Sequence, residues 1–224
     1  MLRVAFDRWT AAFTERPDGD LRVSARAPGE ALERVQTRVL AALGVGGVAV
    51  ARQSHGTAVV AVHTALEGYA VGVGDGDGVV TDRPGVAVGV HVADCLPIAI
   101  GGDGGVAMLH AGWRGLADGI VGEGVRALRA LGVDGDLEAA IGPGVGGCCY
   151  ETGDEVRERF TARGASSGRL LDLKAVAAAE LREAGVTTIH DVGVCTMCSA
   201  PGRLFSHRRD GARTGRQAGF AWLR

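Results

Sequence analysis

The hydrophobic positions of the chain follow two periods, one typical of helices and one typical of strands. Helical spacing of apolar residues covers 29–43, 113–131, about 154–163 and about 173–184, and Thr152 with Glu155 forms a capping-box pattern before the third of these. Shorter valine-rich runs bounded by glycine and proline predict strands over 47–52, 58–63, 79–80, 86–92, 97–100, 105–109, 137–141, 187–191, 203–206 and 219–223. Strands and helices alternate irregularly. We therefore expect an α/β to α+β fold, with residues 1–224 as a single domain of mixed β-sheets flanked by helices.

Composition argues against a nucleic-acid-binding, membrane-spanning or disulfide-rich secreted protein. The 224 residues include 37 glycines, which fits many tight turns, and the formal net charge of −2 offers no general attraction for nucleic acid. Apolar runs all fall short of about 18 residues, so no membrane span is expected. The first residues do not resemble a secretory leader, and five cysteines are an odd number for a disulfide scaffold. We expect a cytoplasmic protein.

Three side chains that can bind metals follow or end predicted strands. His55 follows the strand at 47–52, Cys95 follows 86–92, and His110 comes directly after 105–109. If the three strands belong to one sheet, the side chains meet at its rim, where ligands commonly bind. Two imidazoles and a thiolate suit zinc and leave its fourth position open, as catalytic zinc requires. The alternative is one buried cysteine and two hydrogen-bonded histidines.

Two cysteine pairs are rival metal ligands. Cys195 and Cys198 have the C-x-x-C spacing, but no second pair of this spacing exists. Cys148 and Cys149 are adjacent, and their side chains point apart if the backbone is extended. We expect both pairs to be structural and Cys198→Ser to retain metal.

A basic pair near the end of the chain has the chemistry to bind an anion. Arg208 and Arg209 follow the predicted strand at 203–206, and two guanidinium groups can hold phosphate or carboxylate. A solvated charged turn is the alternative.

Several motifs occur together and in a characteristic order. They are Gln53-Ser54-His55-Gly56, Asp77-Gly78-Val79-Val80-Thr81, Ala93-Asp94-Cys95-Leu96-Pro97, His110-Ala111-Gly112-Trp113-Arg114-Gly115, Ile141-Gly142-Pro143, Cys149-Tyr150-Glu151, Cys195-Thr196, Ser206-His207-Arg208-Arg209-Asp210-Gly211 and Thr214-Gly215-Arg216-Gln217. Over about residues 47–224 the chain resembles the multicopper polyphenol oxidase (laccase) domain family. Its bacterial members include the peptidoglycan editing factor, and the family is also described as purine nucleoside phosphorylases. Residues 1–46 are less typical.

The resemblance implies a metal-dependent enzyme acting on purine nucleosides and phosphate. Its metal ligands fall on His55, Cys95 and His110, with zinc as the expected ion and copper as the alternative. The implied reactions are phosphorolysis of adenosine, inosine and methylthioadenosine, and hydrolytic deamination of adenosine.

The remaining site roles are assigned by chemistry. Arg114, Arg208 and Arg209 are candidates for binding phosphate, which needs fixed donors. Asp94 is a candidate to orient a ligand histidine or to act as a base. The segment 17–24 and Val92 depart from the family pattern, and these departures bear on substrate preference rather than on metal binding.

Three other functions remain open at this point. A copper-dependent phenol oxidase would need more than the six histidines present to hold four coppers. A Cys-His hydrolase acting in peptidoglycan precursor editing would use Cys95 as nucleophile and His110 as base, and its free thiol would be alkylable, whereas a zinc thiolate would be protected. A structural or partner-binding protein would bind no metal. The sequence leaves the oligomeric state open.

Overall fold

The computed structural model describes residues 1–22 and 29–224, without the side chains of 29–31. Its strands are β1 (Leu2–Ala5), β2 (Trp9–Phe13), β3 (Gly47–Arg52), β4 (Val59–Val62), β5 (Gly68–Asp75), β6 (Gly78–Thr81), β7 (Val86–Val92), β8 (Leu96–Gly102), β9 (Gly105–Ala111), β10 (Leu137–Ile141), β11 (Ser166–Ser167), β12 (Leu170–Leu171), β13 (Val186–Asp191) and β14 (Gln217–Leu223). Its helices are α1 (Gly29–Leu43), α2 (Trp113–Asp118), α3 (Ile120–Ala130), α4 (Asp154–Glu158), α5 (Leu173–Glu183) and α6 (His207–Asp210). Two short 3-10 turns cover Arg16–Asp18 and Thr161–Arg163.

Two mixed six-stranded sheets form the framework. The first has the order β1-β2-β14-β7-β3-β5, and the second has the order β13-β10-β8-β9-β6-β4. In the first sheet β3 lies parallel to both β5 and β7. In the second sheet β10 lies parallel to β13 and antiparallel to β8. The expected α/β architecture with mixed sheets and flanking helices is confirmed.

Apolar side chains fill three layers. Between the sheets, Trp9 and Phe13 of the first pack with Met108 of the second. The outer face of the first sheet is covered by α1, and the outer face of the second by α2, α3 and α5. Glycine permits the close packing of the inner layer, because a Cβ on Gly101 would lie 2.6 Å from the Trp9 ring.

Several predicted elements need correction. The helix predicted over 113–131 is two helices, because Gly119 adopts a left-handed conformation with φ of 92° between them. The helix at 154–163 ends at Glu158, and its N-cap is Gly153 rather than Thr152. The strand predicted at 203–206 is absent, since Ser206 instead caps α6 by accepting the N–H of Arg209.

Other features lay beyond the sequence prediction. The strands β1, β2 and β5 were not predicted, and β1 and β5 are the edge strands of the first sheet. Val23 and Ser24, which end the atypical segment 17–24, lie outside the described residues. Among the described residues, no helix is both long enough and apolar enough to span a membrane.

The packing of α3 on β9 gives a matched test with two glycines of one helix. A methyl group on Gly124 would lie 2.6 Å from Leu109 Cδ1, whereas one on Gly122 would meet no atom within 4 Å. We expect Gly124→Ala to lower the free energy of unfolding by about 1–3 kcal/mol through overpacking. Gly122→Ala should raise it by about 0.5–1 kcal/mol, because alanine favours the helix. Urea denaturation followed by circular dichroism measures both, and equal midpoints for the two variants would contradict this packing.

Candidate metal centre and cleft

The three predicted metal ligands come together where the two sheets meet. His55 lies in the connection from β3 to β4, Cys95 in the connection from β7 to β8, and His110 near the end of β9. The condition that their strands share one sheet is not met, because β3 and β7 belong to the first sheet and β9 to the second. The side chains meet because the chain passes from β7 in the first sheet to β8 in the second, and Cys95 lies in the connection between these two strands.

His55, Cys95 and His110 lie close enough together to hold one metal ion. One ligand atom from each lies within 4.8 Å of the others. The two imidazole rings stand edge to face with their centroids 4.8 Å apart. His110 is buried, Cys95 half-buried and His55 exposed, so the cluster opens to solvent on one side.

A buried carboxylate that sequence reasoning did not single out organises this cluster. Asp77, 1% exposed, accepts a 2.7 Å hydrogen bond from His110 Nδ1. It also accepts the backbone N–H groups of Ser54, His55 and Gly56 and the Ser54 hydroxyl. The bond to Nδ1 leaves Nε2 of His110 as the nitrogen available to a metal. A carboxylate behind a ligand histidine is the usual way to fix its ring orientation.

Without a metal, Cys95 and His110 carry opposite charges. Burial alone would raise the pKa of Cys95, but the neighbouring imidazoles outweigh it and lower that pKa to about 6. Burial opposes charge on His110 as well, yet the Cys95 thiolate and Asp77 raise its pKa to about 9. Burial also disfavours the Asp77 charge, but the donated hydrogen bonds hold its pKa well below the usual range. A thiolate is therefore present at neutral pH, as zinc and copper ligation requires, whereas His110 would release a proton on binding a metal.

Gly112 leaves the room that the donors need. A Cβ at this position would lie 3.0 Å from Cys95 Sγ and 3.4 Å from His55 Cδ2. The absence of a side chain keeps the face of the cluster open, and two imidazoles with one thiolate are a donor set that fits zinc or copper.

The hydrogen bonds of Asp94 go to residues other than the ligand histidines, whereas its expected role as a base stays a prediction. Its Oδ1 accepts the Thr196 hydroxyl at 2.6 Å, and its Oδ2 accepts the backbone N–H of Arg208 at 2.8 Å. The side chain is 7% exposed and lies on the cleft wall. The carboxylate that holds a ligand histidine is Asp77, whereas Asp94 ties two C-terminal loops to the ligand Cys95.

A cleft of about 690 Å³ opens on the three donors. This volume lies in the range of small-molecule sites. Its walls include four arginines, namely Arg22, Arg114, Arg208 and Arg216. Arg114 and Arg208, both expected as phosphate ligands, stack on aromatic rings: Arg114 lies 4.3 Å from the Trp113 centroid and Arg208 lies 4.8 Å from that of Tyr150.

Arg209, the third expected phosphate ligand, does not line the cleft. Its guanidinium donates to the carbonyl oxygens of Thr196, Ser199 and Leu204 and to the Asp210 carboxylate. With its donors turned toward the loop at 196–204, Arg209 supports that loop instead of facing a ligand.

Arg22 and His91 line the cleft without having been predicted there. The Arg22 Nε is buried and has no hydrogen-bond partner among the described residues. Burial, with the charge of Arg216, lowers the pKa of His91 to about 4, so its ring is neutral. The Tyr69 hydroxyl lies 2.8 Å from His91 Nε2. Burial raises the pKa of Tyr69, so the hydroxyl keeps its proton, and it can donate to Nε2 or accept from it, depending on the tautomer of His91.

The two cysteine pairs also converge, at a second place. Cys148 and Cys149 follow β10, and Cys195 and Cys198 follow β13. Their four sulfur atoms lie within 4.8 Å of one another. The sequence spacing did not show this convergence, which arises because β10 and β13 are parallel neighbours and bring both loops to the same end of the sheet.

With this geometry established, comparison with known proteins places the chain. The family model described as multi-copper polyphenol oxidoreductase laccase matches residues 20–224. The chain belongs to this family. The family resemblance drawn from the motifs is thereby confirmed, and the match also includes much of the less typical N-terminal part.

Relatives and solved structures agree with this membership. A protein named purine nucleoside phosphorylase from Xylella fastidiosa is 36% identical over 208 residues, which cover 86% of this chain and 78% of that protein. One of the same name from Aquifex aeolicus is 41% identical over 138 residues, which cover 61% of this chain and 66%, just under two thirds, of that protein. The crystal structure of YlmD from Geobacillus stearothermophilus superposes with a TM-score of 0.83 at 29% identity, covering 96% of this chain and 92% of that one.

The position of Asp77 predicts how the metal centre responds to loss of its charge. Asp77→Asn keeps the shape of the side chain but turns an NH2 group toward groups that donate hydrogen bonds. We expect the affinity for zinc to fall about 10- to 100-fold. Competition with a chromophoric chelator measures it, with circular dichroism to confirm folding.

The matched control for this variant is Asp75→Asn. Asp75 lies two residues away, and its exposed carboxylate pairs with Arg52. Equal zinc affinities in the Asp77 variant, the Asp75 variant and the parent protein would show that the buried carboxylate does not support the ligands.

Proposed function

We propose that this chain is a zinc-dependent purine nucleoside phosphorylase acting on adenosine, inosine and methylthioadenosine, and that it also deaminates adenosine by hydrolysis. The observation that carries the proposal is the cleft, in which arginines and a His-Cys-His cluster face the same space. The names of the Xylella and Aquifex relatives support it. Five free cysteines support a cytoplasmic location.

The reaction requires an anionic nucleophile held against a nucleoside. In phosphorolysis a phosphate oxygen bonds to C1′ of the ribose while the bond from C1′ to N9 breaks. The bonding electrons leave with the purine, which takes up a proton, and the products are the free base and ribose 1-phosphate. Fixed cationic donors for the phosphate and a donor for the departing purine are the groups that catalysis needs.

Arg208 and Arg114 are our candidates for holding phosphate. Arg208 is fixed by the Tyr150 ring and by a 2.9 Å hydrogen bond to the Glu151 carbonyl oxygen. Arg114 is fixed by the Trp113 ring. Stacking restricts each guanidinium plane without using all of its N–H groups, so donors remain for an oxyanion. Arg22 adds a buried Nε that makes no hydrogen bond within the described residues and lies 3.9 Å from Asp20 Oδ2.

Other residues that line the cleft suit a purine. Tyr150, Val145 and Leu173 contribute apolar surface to the cleft, and His91 offers a neutral imidazole. In the tautomer in which Tyr69 donates to Nε2, the proton of His91 is on Nδ1, and His91 would be a hydrogen-bond donor for a purine ring nitrogen. This donor would favour departure of the base without placing another positive charge beside the arginines.

His55, Cys95 and His110 would hold the zinc ion at the floor of the cleft. When bound, zinc supplies a Lewis acid with an open position, the feature that would also serve hydrolytic deamination of adenosine. The thiolate and two imidazoles equally admit copper. A four-copper phenol oxidase is disfavoured, since only one of the candidate clusters in the described part of the chain contains histidine.

A Cys-His hydrolase, with a role in peptidoglycan precursor editing, is the second candidate. The observation in its favour is the chain of contacts from Asp77 through His110 to Cys95, which resembles an orienting group, a base and a nucleophile. His55 distinguishes the two functions, because a second imidazole on the thiol serves a metal and has no part in a nucleophile–base pair.

Omitting phosphate tests the division between the two proposed reactions. We expect base release from inosine to stop without phosphate, because its nucleophile is missing, while ammonia release from adenosine continues with water. Chromatography of both reactions with and without phosphate measures this. Base release that is equal in the two conditions would indicate a hydrolase of nucleosides. A protein inert toward nucleosides, with a freely alkylated Cys95, would favour the Cys-His hydrolase.

The phosphate role of Arg208 gives a second kinetic test. Arg208→Met keeps an aliphatic stem against Tyr150 and removes the charged donors. Losing a charge-assisted hydrogen bond should raise the KM for phosphate about 10- to 100-fold, with a smaller effect on the KM for inosine. Arg126→Met, on the exposed face of α3, is the control. The same change in both KM values would place Arg208 outside the phosphate site.

A further inference from the structure

The four cysteines that lie outside the metal centre form a compact cluster of sulfur atoms. Cys148 and Cys149 lie in a turn, and their sulfurs are 3.8 Å apart. Across the two loops, Cys148 Sγ lies 3.6 Å from that of Cys198, and Cys149 Sγ lies 3.5 Å from that of Cys195. An extended backbone would point the adjacent cysteines apart, but this turn brings them to the same side.

These distances fit a tetrahedral metal–sulfur site. Four sulfurs about 2.3 Å from a zinc ion are about 3.8 Å from one another along the edges of the tetrahedron. The three contacts between 3.5 and 3.8 Å match that edge. We propose that Cys148, Cys149, Cys195 and Cys198 bind a second zinc ion as four thiolates, and that this ion fastens the loop after β10 to the loop after β13.

Backbone donors around the sulfurs suit thiolate ligands. Cys195 Sγ accepts the N–H of Gly146 at 3.3 Å and that of Cys198 at 3.5 Å. Hydrogen bonds to ligating sulfurs orient them and offset their negative charge. Gly146 allows this approach, because a Cβ there would lie 3.3 Å from Cys148 Sγ.

A positive charge lies beside the same loop. The guanidinium of Arg209 donates to the carbonyl oxygens of Thr196 and Met197, which lie between Cys195 and Cys198 in the sequence. A zinc ion with four thiolates carries two net negative charges. Arg209, which is unavailable to a ligand in the cleft, is well placed to offset part of this charge.

The proposed ion would hold in place two residues of the cleft wall, Asp94 and Arg208. Thr196, between the two ligands of the second loop, donates to Asp94 and also bonds the Gly144 carbonyl oxygen through its N–H. Tyr150 follows the ligand Cys149 and carries Arg208 on its ring. Fixing the two loops therefore fixes Asp94 and the stacked arginine, so the second ion is structural and not catalytic.

The test uses a protein without the first metal centre. In Cys95→Ala/His110→Ala, elemental analysis should find about one zinc per chain, and X-ray absorption at the zinc edge should find four sulfur neighbours at about 2.3 Å. A folded variant without zinc, or a zinc shell containing nitrogen, would overturn the proposal. So would disulfide bonds within the cluster in protein purified under reducing conditions.

The complementary variant separates this site from the proposed function. Cys148→Ser/Cys198→Ser should lose one of two zinc ions, which replaces the expectation from sequence that Cys198→Ser retains all of its metal. Met197→Leu, between the ligands, should retain both. If the serine variant fails to fold, X-ray absorption at the zinc edge of Cys95→Ala/His110→Ala still tests whether four sulfurs bind the ion. Failure of the proposed function would leave the tetrathiolate zinc in place, whereas failure of this inference would leave phosphorolysis and the first zinc in place.

Discussion

The buried carboxylate of Asp77 is the interaction on which the site depends. It joins the two sheets, because it precedes β6 of the second sheet and accepts the backbone N–H groups of the loop that follows β3 of the first. Its remaining bond goes to His110 on β9. One ionised group thus fixes the loop of one ligand histidine and the ring of the other. Burying a charge is costly unless it is fully hydrogen-bonded, and here five donors meet that requirement.

The two-sheet architecture explains why the donors come from distant parts of the chain. Cys95 lies where the chain leaves β7 in the first sheet and enters β8 in the second. His110 comes from the strand paired with β8, and His55 from the loop after the strand paired with β7. The ligands therefore sit on rigid strands or beside them. Such support holds functional side chains more firmly than long loops would.

Residue chemistry and position relative to strands were sufficient to predict that His55, Cys95 and His110 come together and that the sheets are mixed. They were not sufficient for Asp77, one of 26 acidic residues. Its role depends on the pairing of β6 with β9, in which Gly78 lies opposite Leu109 and so brings Asp77 to His110. The cysteine cluster was missed for the same reason, because the parallel pairing of β10 and β13 joins segments almost 50 residues apart. Local spacing carries no information about such pairings.

Two residues beside the cleft have a strained backbone conformation. Within the described residues, the non-glycine positions with positive φ are His55, at 66°, and Asp94, at 91°. Such conformations cost about 1–3 kcal/mol each. At His55 the left-handed conformation turns three successive N–H groups toward the Asp77 carboxylate, which makes the loop an anion-binding nest. At Asp94 the turn precedes Cys95, and the carboxylate binds Thr196 and Arg208. Glycine at either position would relieve the strain but would remove a side chain that the site uses. The fold therefore keeps a strained conformation at these two residues because their side chains are needed there.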